Sequence, residues 1–235
     1  MRNLTSGEIL SQILIANKEL KDRKVSNIVF MGMGEPLDNF DELIKALKVI
    51  TSKDGLNLSK HKVTVSTSGI VPQIEALGKQ VAVSLAISFH TPFDEERSVM
   101  MPINRKYPLD VLKKALLEYP IQTRHGITLE YVMIKNKNDS IKHAKAVVKF
   151  AHGLKVKVNL IPLNPHPGSV MEPALEESLK AFQTYLEERS ISAPVRYSRG
   201  QDVSAACGQL AIKRKEELNA DPRLLWRQRR AEKRV

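Results

Sequence analysis

Cysteine is almost absent from this sequence, because Cys207 is the one thiol among 235 residues. A lone cysteine cannot close an internal disulfide, and it cannot build a metal site without further ligands. Small secreted domains rely on paired cysteines, so the composition excludes that class and favours a reducing compartment. The six histidines lack metal-ligand spacings such as HExxH, and we therefore predict no zinc site.

Long hydrophobic runs are also missing. No stretch of about 18 apolar residues occurs, and the segment MRNLTSGEIL has no hydrophobic region after its positive charge. We therefore expect a cytoplasmic protein with no membrane partner. Apolar residues make up 42% and charged residues 27% of the chain, which is typical of a globular protein with a real core.

Acidic residues are outnumbered, with 26 Asp and Glu against 37 Lys and Arg and a net charge of +11. Such a charge makes nucleic acid a candidate partner, although solubility explains the charge equally well. Residues 223–235 alone carry six Lys or Arg and one Trp. A solvated helical tail and an RNA contact are both compatible with this segment.

Short apolar, β-branched runs alternate with segments of helical periodicity, and the alternation recurs six times. Near-continuous apolar strands between amphipathic helices indicate a parallel sheet, either doubly wound or barrel-shaped. No Gly/Ser or Pro-rich linker divides the chain. We predict an α/β domain over residues 1–197 and an extension over 198–235. The predicted strands cover 26–32, 62–68, 81–88, 127–134, 156–162 and 194–198, and the predicted helices 5–20, 41–51, 71–78, 108–119, 140–153 and 172–190.

Polar residues and glycines follow four of the predicted strands, in MGMGEPLDN, STSG, SFHTP and NPHPGS. The carboxyl ends of parallel strands converge on one mouth, so residues distant in sequence can surround one ligand there. Each loop alone is ordinary, but four together indicate a site. Glu35 can bind an ammonium group, and Ser66 and Ser68 can donate to a carboxylate or a ribose. His90 can stack or hydrogen-bond, and Asn164 occupies the matching place after a later strand. A Walker loop and GxGxxG are absent, which disfavours phosphate and dinucleotide ligands.

Six segments in the same order resemble the RlmN/Cfr-type radical SAM methyltransferases: VFMGMGEPLDN, VTVSTSGIVPQI, LAISFHTPFDEERSVMMPINRKYPL, YVMIKNKND, NLIPLNPHPG and VRYSRGQDVSAACGQL. These enzymes methylate adenine in 23S rRNA and, in the dual-specificity branch, in tRNA. The resemblance implies a partial (β/α) radical SAM barrel, TIM-like, with a parallel sheet. It also implies S-adenosylmethionine bound by Gly34, Glu35, Ser66, Ser88, Phe89, His90 and Asn164.

The same resemblance makes Cys207 the methyl-carrying residue. Its thiolate would take a methyl group from one S-adenosylmethionine, and a radical derived from a second molecule would activate that group for addition to adenine C2. The amidine carbon of adenine is not a nucleophile, so a covalent sulfur carrier supplies the carbon. The alternative for any lone cysteine is a buried structural thiol.

The family holds a 4Fe-4S cluster on a CxxxCxxC loop, expected just before RNLTSGEIL, and this chain contains no such motif. We therefore expect the first barrel strand, the cluster loop and the accessory domain to be missing, so that the chain is the C-terminal portion of a methyltransferase and is incomplete as an enzyme. In the full-length family an electron donor reduces the cluster, and we expect a monomer.

Three alternatives stay open from the sequence. The enzyme can be specific for C8 rather than C2 of adenine. The chain can be a non-catalytic RNA-binding remnant that uses Arg105, Lys106 and the C-terminal arginines on RNA phosphates. It can also be an unrelated α/β-barrel enzyme with Glu35 and His90 as acid-base groups.

Overall fold

The structure, a computed structural model, describes residues 2–20, 23–121, 126–165 and 170–197. Cys207 and the basic segment 223–235 lie outside the described residues, so the predicted division at residue 197 stays a prediction. None of the helices in the described ranges is both long enough and apolar enough to cross a membrane. The helices are α1 Ser6–Glu19, α2 Phe40–Thr51, α3 Val71–Gln80, α4 Asp94–Met100, α5 Leu109–Glu118, α6 Ile141–Ala151 and α7 Glu176–Glu187. The strands are β1 Ile28–Phe30, β2 Val63–Thr67, β3 Ser84–Ser88, β4 Ile127–Met133 and β5 Val156–Pro162.

The described strands form one parallel sheet in the order β1-β2-β3-β4-β5. Each strand pairs with its successor in the chain, and helices occupy the connections. A doubly wound sheet reverses its strand order at a switch point, whereas a (β/α) barrel adds strands in sequence. The order therefore confirms the partial, TIM-like barrel and decides between the two architectures that the periodicity allowed.

One face of the sheet is apolar and lies against the helices. Strand residues alternate between the two faces, so every second residue of β2, β3, β4 and β5 points to this side. Helix α2 supplies its matching stripe with Leu43, Leu47 and Ile50 at helical spacing. Burying these side chains provides the main drive for folding. The buried strand residues are Val63, Val65, Leu85, Ile87, Ile127, Leu129, Tyr131, Met133, Val158 and Leu160.

The opposite face, called the inner face below, carries polar, half-buried side chains, although Ala86 and Thr128 on it are buried. Level with the carboxyl end of β3, Ser88 pairs with Glu130 of β4, and Glu130 pairs with Asn159 of β5. Two residues earlier along β3, Ala86 pairs with Ser66 of β2. Such a polar surface is not filled as a core and is available to a ligand.

Helix α1 begins with a capping box. The Oγ1 atom of Thr5 accepts a hydrogen bond from the Glu8 N–H at 3.3 Å, and the Glu8 carboxylate accepts one from the Thr5 N–H at 2.9 Å. Both orphan donors at this helix end are satisfied.

Three predicted features need correction. The sixth strand, predicted over 194–198, is in the structure a single parallel bridge between Leu160 and Val195. The third strand begins at Ser84 rather than at 81, because the N–H of Val81 still bonds to the Leu77 carbonyl at the end of α3. Helix α4 was not predicted, because its inward-facing residue is Arg97 and the segment has no apolar stripe.

Candidate functional site

The carboxylate of Glu35 joins the ends of two strands. Glu35 lies at the start of a 3-10 helix, Pro36–Asn39, that follows β1, and its Oε1 accepts the Leu37 N–H at 3.0 Å. Its Oε2 accepts the Ser68 N–H at 2.7 Å and the Ser68 hydroxyl at 2.8 Å. A carboxylate offers about four acceptor positions. These three bonds fix the group and leave capacity for a further donor from a ligand.

The backbone conformation of Gly34 determines where Glu35, the next residue, is placed. Its φ of +91° lies in the left-handed region that favours glycine, so a side chain here would strain the turn. A Cβ at Gly34 would meet no atom within 4 Å. Glycine is therefore needed for the conformation, and the space beside it is open to an approaching molecule.

Arg97 is fully buried and holds the ends of β2 and β3 together. Its Nη2 donates to the carbonyl oxygens of Ser68 and Ser88, both at 2.8 Å, and its Nε donates to the Phe89 carbonyl at 3.2 Å. Burial lowers the pKa of Arg97 to about 10, while the charge of Asp94 opposes the shift, so the guanidinium stays charged at neutral pH. Arg97 was not among the residues predicted from the sequence.

A network of side-chain hydrogen bonds holds Arg97 in place. The Oδ1 of Asn104 accepts a bond from the Arg97 Nη1 at 2.8 Å, and the Asn104 amide donates to Asp94 Oδ1 at 2.8 Å and Ser98 Oγ at 3.0 Å. Asp94 also accepts the Leu109 N–H at 2.9 Å, at the start of α5. The segment 94–109 thus forms a fixed cap beside the mouth.

His90 lies at the mouth, in a left-handed conformation with φ of +60°. Its Nδ1 accepts the Val132 N–H at 3.2 Å, and its carbonyl accepts the Asn138 amide at 2.7 Å. Burial, and to a lesser extent the charge of Arg97, lower the pKa of His90 to about 4. The ring is therefore neutral at pH 7 with its proton on Nε2, which suits a hydrogen-bond donor better than an acid-base catalyst. The reading of Glu35 and His90 as an acid-base pair is disfavoured.

Ser88 and Phe89 point in opposite directions. Ser88 is on the inner face, whereas the Phe89 side chain is fully buried on the helix side, with its ring centroid 4.6 Å from that of Phe150 and 6.3 Å from that of Tyr131. Among the predicted ligand-binding residues, Phe89 therefore has only its backbone near the mouth. The strand's alternation causes this division.

The remaining predicted residues differ in how far the structure describes them. Ser66 is half-buried on the inner face, and Asn164 is half-buried just beyond the end of β5. Gly34, Glu35, Ser66, Ser88, His90 and Asn164 thus all belong to the carboxyl-terminal half or end of a strand. Cys207, the predicted methyl carrier, lies outside the described residues.

A cavity of about 600 Å³ opens next to Glu35, between β1 and α1. Gly34 and Glu35 lie on its lining, together with the exposed side chains of Met31 and Met33. Its walls are largely apolar, and its volume is that of a small-molecule site.

The described residues and the cysteine content of the sequence bear on whether this chain can hold a metal. In the part that the structure describes, no three His, Cys, Asp or Glu side chains are grouped to hold a metal ion. The whole chain has one cysteine, so it cannot supply three thiolates to a 4Fe-4S cluster. The residues present do not fit the cluster, whereas those at the mouth do fit S-adenosylmethionine, whose ammonium, carboxylate and ribose all need polar partners.

Sequential parallel strands with polar groups gathered at their carboxyl ends define a class, the α/β proteins of barrel type with a ligand site at the mouth. The chain belongs to the radical SAM superfamily, whose family model matches residues 4–151.

Several known proteins are similar to this chain. The dual-specificity RNA methyltransferase RlmN of Syntrophobacter fumaroxidans is 47% identical over 210 residues, which cover 89% of this chain and 61% of that protein. The RlmN of Brucella anthropi is 47% identical over 227 residues, covering 89% of this chain and 55% of that protein. The chain thus spans somewhat more than half the length of these relatives.

Solved structures agree with the fold. A radical SAM methyltransferase from Sphaerobacter thermophilus is 42% identical, with a TM-score of 0.83 over 89% of this chain and 62% of that one. SuiB of Streptococcus suis, solved with S-adenosylmethionine bound, is 16% identical with a TM-score of 0.60 over 87% of this chain and 46% of that one. At that identity SuiB supports the fold alone.

Proposed function

We propose that this chain is the S-adenosylmethionine-binding portion of an RNA methyltransferase that modifies C2 of adenine in 23S rRNA and tRNA. The observation that carries the proposal is the fixed carboxylate of Glu35 at the mouth of a radical SAM barrel, on hydrogen bonds from Ser68 and Leu37. The similarity to proteins named dual-specificity RNA methyltransferases supports the RNA substrate.

Each mouth residue has a role that its geometry suits. Glu35, with acceptor capacity left over, would bind the ammonium of the methionine part, and Gly34 would let that part approach the backbone. The hydroxyls of Ser66 and Ser88 would donate to the ligand from the inner face. The neutral His90 would donate a hydrogen bond to the ligand from Nε2. Asn164, just after β5, would contact the ligand from the other side of the sheet's mouth.

Cys207 would act as the nucleophile that receives a methyl group, because adenine C2 cannot attack a methyl donor itself. Bound S-adenosylmethionine supplies the methyl group and, with a reduced cluster, the radical chemistry of the family. Cluster ligands and the electron donor would come from outside this chain. The preference for C2 over C8 rests on the resemblance to the dual-specificity branch.

The net charge of +11 favours the contact with RNA phosphates. Arg105 and Lys106 are exposed within the segment 94–109, just after α4, and would contribute to this surface together with the C-terminal arginines. Because the proposed substrates are ribosomal and transfer RNA, we propose that the protein acts in the cytoplasm, and that it does so as a monomer.

Isothermal titration calorimetry with S-adenosylmethionine tests the proposal on this chain. We expect binding by the unaltered protein, and a loss of at least tenfold in affinity for Glu35→Ala. The exposed Glu177→Ala on α7 is the matched control and should bind normally. Equal affinity of the Glu35 and Glu177 variants would refute the assignment.

A further inference from the structure

Asn138 is a buried side chain in the turn that follows β4, at the same edge of the sheet as the predicted ligand-binding residues. Only 1% of the residue is exposed. A buried amide needs hydrogen-bond partners, because leaving its polar atoms unpaired costs free energy. Its partners therefore show which parts of the fold it holds together.

Asn138 uses both donors and the acceptor oxygen of its amide on two segments of backbone. Its Nδ2 donates to the His90 carbonyl at 2.7 Å and to the Val132 carbonyl at 2.6 Å. Its Oδ1 accepts the Ile134 N–H at 2.8 Å. The reversed amide is disfavoured, because its oxygen would face two carbonyl oxygens. The side chain thus ties the turn after β3 to the end of β4.

The two carbonyls belong to the two residues that fix the His90 ring. The Val132 N–H donates to His90 Nδ1 at 3.2 Å, which leaves the proton of the neutral ring on Nε2. Asn138 bonds to the carbonyls of these same two residues, so it sets how closely the donor and the acceptor of that bond approach. His90 needs this support, because its φ of +60° is a strained conformation for a residue other than glycine.

Asn138 is in turn anchored to the core. The Tyr131 hydroxyl donates to the Asn138 carbonyl at 2.8 Å. The Tyr131 ring is fully buried on the helix side of β4, with its centroid 5.2 Å from that of Phe182. A fixed chain of contacts therefore runs from the packed helices through Asn138 to the ring of His90 at the mouth.

We propose that Asn138 is a positioning residue, which holds His90 so that the Nε2–H of its ring is presented to bound S-adenosylmethionine. Asn138 would not contact the ligand itself and would act through His90. This inference rests on the proposed function, because it assumes that S-adenosylmethionine occupies the mouth.

Nitrogen NMR of the histidine side chains, at neutral pH and without ligand, tests how Asn138 acts on His90. The spectra distinguish the two neutral tautomers, and His90→Asn identifies the signals of His90. We expect the unaltered protein to show one His90 tautomer, protonated on Nε2. Asn138→Asp keeps the acceptor for Ile134 but loses both donors, so both tautomers should appear. Asn136→Asp adds the same charge at an exposed position of the same turn and should leave the His90 signals unchanged.

Calorimetry with S-adenosylmethionine tests whether this positioning serves the ligand. We expect Asn138→Asp to lower the affinity roughly fivefold, as for loss of one typical hydrogen bond, and Asn136→Asp to leave it unchanged. In a His90→Asn background, Asn138→Asp should cause no further loss, because both residues act through one contact. A general loosening of the mouth would instead give losses that add.

Additive losses would overturn the inference, and so would an Asn138→Asp protein that keeps the single Nε2-protonated tautomer. If Asn138→Asp does not fold, Asn138→Ala takes its place. The unaltered protein also decides without any Asn138 variant, because a His90 ring protonated on Nδ1 would overturn the inference. Failure of the proposed function looks different: S-adenosylmethionine would then bind to no form of the protein, while the His90 signals would still respond to Asn138→Asp.

Discussion

Ser68 donates two hydrogen bonds to one oxygen of Glu35, from its N–H at 2.7 Å and from its hydroxyl at 2.8 Å. Ser68 was predicted only as a possible ligand donor, yet in the structure it holds the carboxylate that we assign to the ligand. The residue thus acts through Glu35, and the two strand ends behave as one unit.

Ser68→Ala removes the hydroxyl bond and keeps the backbone bond to Glu35. We expect the affinity for S-adenosylmethionine to fall roughly three- to tenfold, as for loss of one typical hydrogen bond, because the backbone bond still holds Glu35. Calorimetry measures the change. Ser59→Ala is the control, because the Ser59 side chain makes no cap bond at its 3-10 helix. An unchanged affinity in Ser68→Ala would mean that the hydroxyl does not help to position Glu35.

Arg97→Met should be strongly destabilising, since it leaves the carbonyl oxygens of Ser68 and Ser88 without this donor at buried or half-buried positions. We expect a loss of about 3–5 kcal/mol in the free energy of unfolding. Denaturant titration measures it, with the exposed Arg23→Met as control.

Arg97→Lys gives a sharper test of the same contacts. A lysine ammonium cannot reproduce the planar set of donors, so we expect most of the loss to persist. Stability equal to that of the unaltered protein in Arg97→Lys would contradict the importance of the guanidinium geometry.

His90 should make stability depend on pH. Its pKa is about 4 in the folded protein against an ordinary value of 6.5, so between these values the unfolded chain binds more protons. The free energy of unfolding should therefore fall as the pH falls from 6.5 toward 4, by on the order of 2–3 kcal/mol, and this contribution should level off below.

The measurement compares denaturation of the unaltered protein with that of His90→Asn across this pH range. Asparagine tolerates the left-handed backbone of His90 and does not titrate. We expect the difference between the two stability curves to change with pH, because the variant lacks the titrating group at position 90. If the free energies of unfolding of His90→Asn and of the unaltered protein changed in parallel with pH, His90 would not be held neutral in the folded protein.

RNA binding should depend steeply on salt. With a net charge of +11, the chain should release counterions on binding, and each phosphate contact should add about 0.7 to the slope of log K against log salt for single strands. Filter binding of rRNA fragments measures the slope. Removal of residues 223–235 should reduce this slope. An affinity that does not change with salt concentration would contradict an electrostatic RNA surface.

The sequence predicted the architecture well because parallel strands need continuous apolar runs and their helices need apolar stripes. It also indicated Glu35, Ser66 and His90 as residues at strand ends, because strand ends converge in such a fold. Arg97 could not be found in this way, since a charged residue in an acidic segment is ordinarily exposed and its burial depends on backbone carbonyls from two other strands.

Two further residues carried a signal that was overlooked. The alternation of β3, continued by one residue beyond its end, places Ser88 and Phe89 on opposite faces, which already favoured a core position for the Phe89 side chain. The alternation within β4 places Glu130 among inner-face residues, between buried Leu129 and Tyr131. The sixth strand was predicted too long, because its apolar run is short and only Val195 forms a bridge to β5 among the described residues.

Intact mass analysis of Cys207 tests the central claim most directly. The protein would be expressed as a chimera with the portion of the Syntrophobacter fumaroxidans relative that this chain does not span. The account predicts the mass of one added methyl group, located at Cys207 by peptide mapping and absent from Cys207→Ala. A chimera that folds, binds S-adenosylmethionine and carries an unmodified thiol at Cys207 would contradict it.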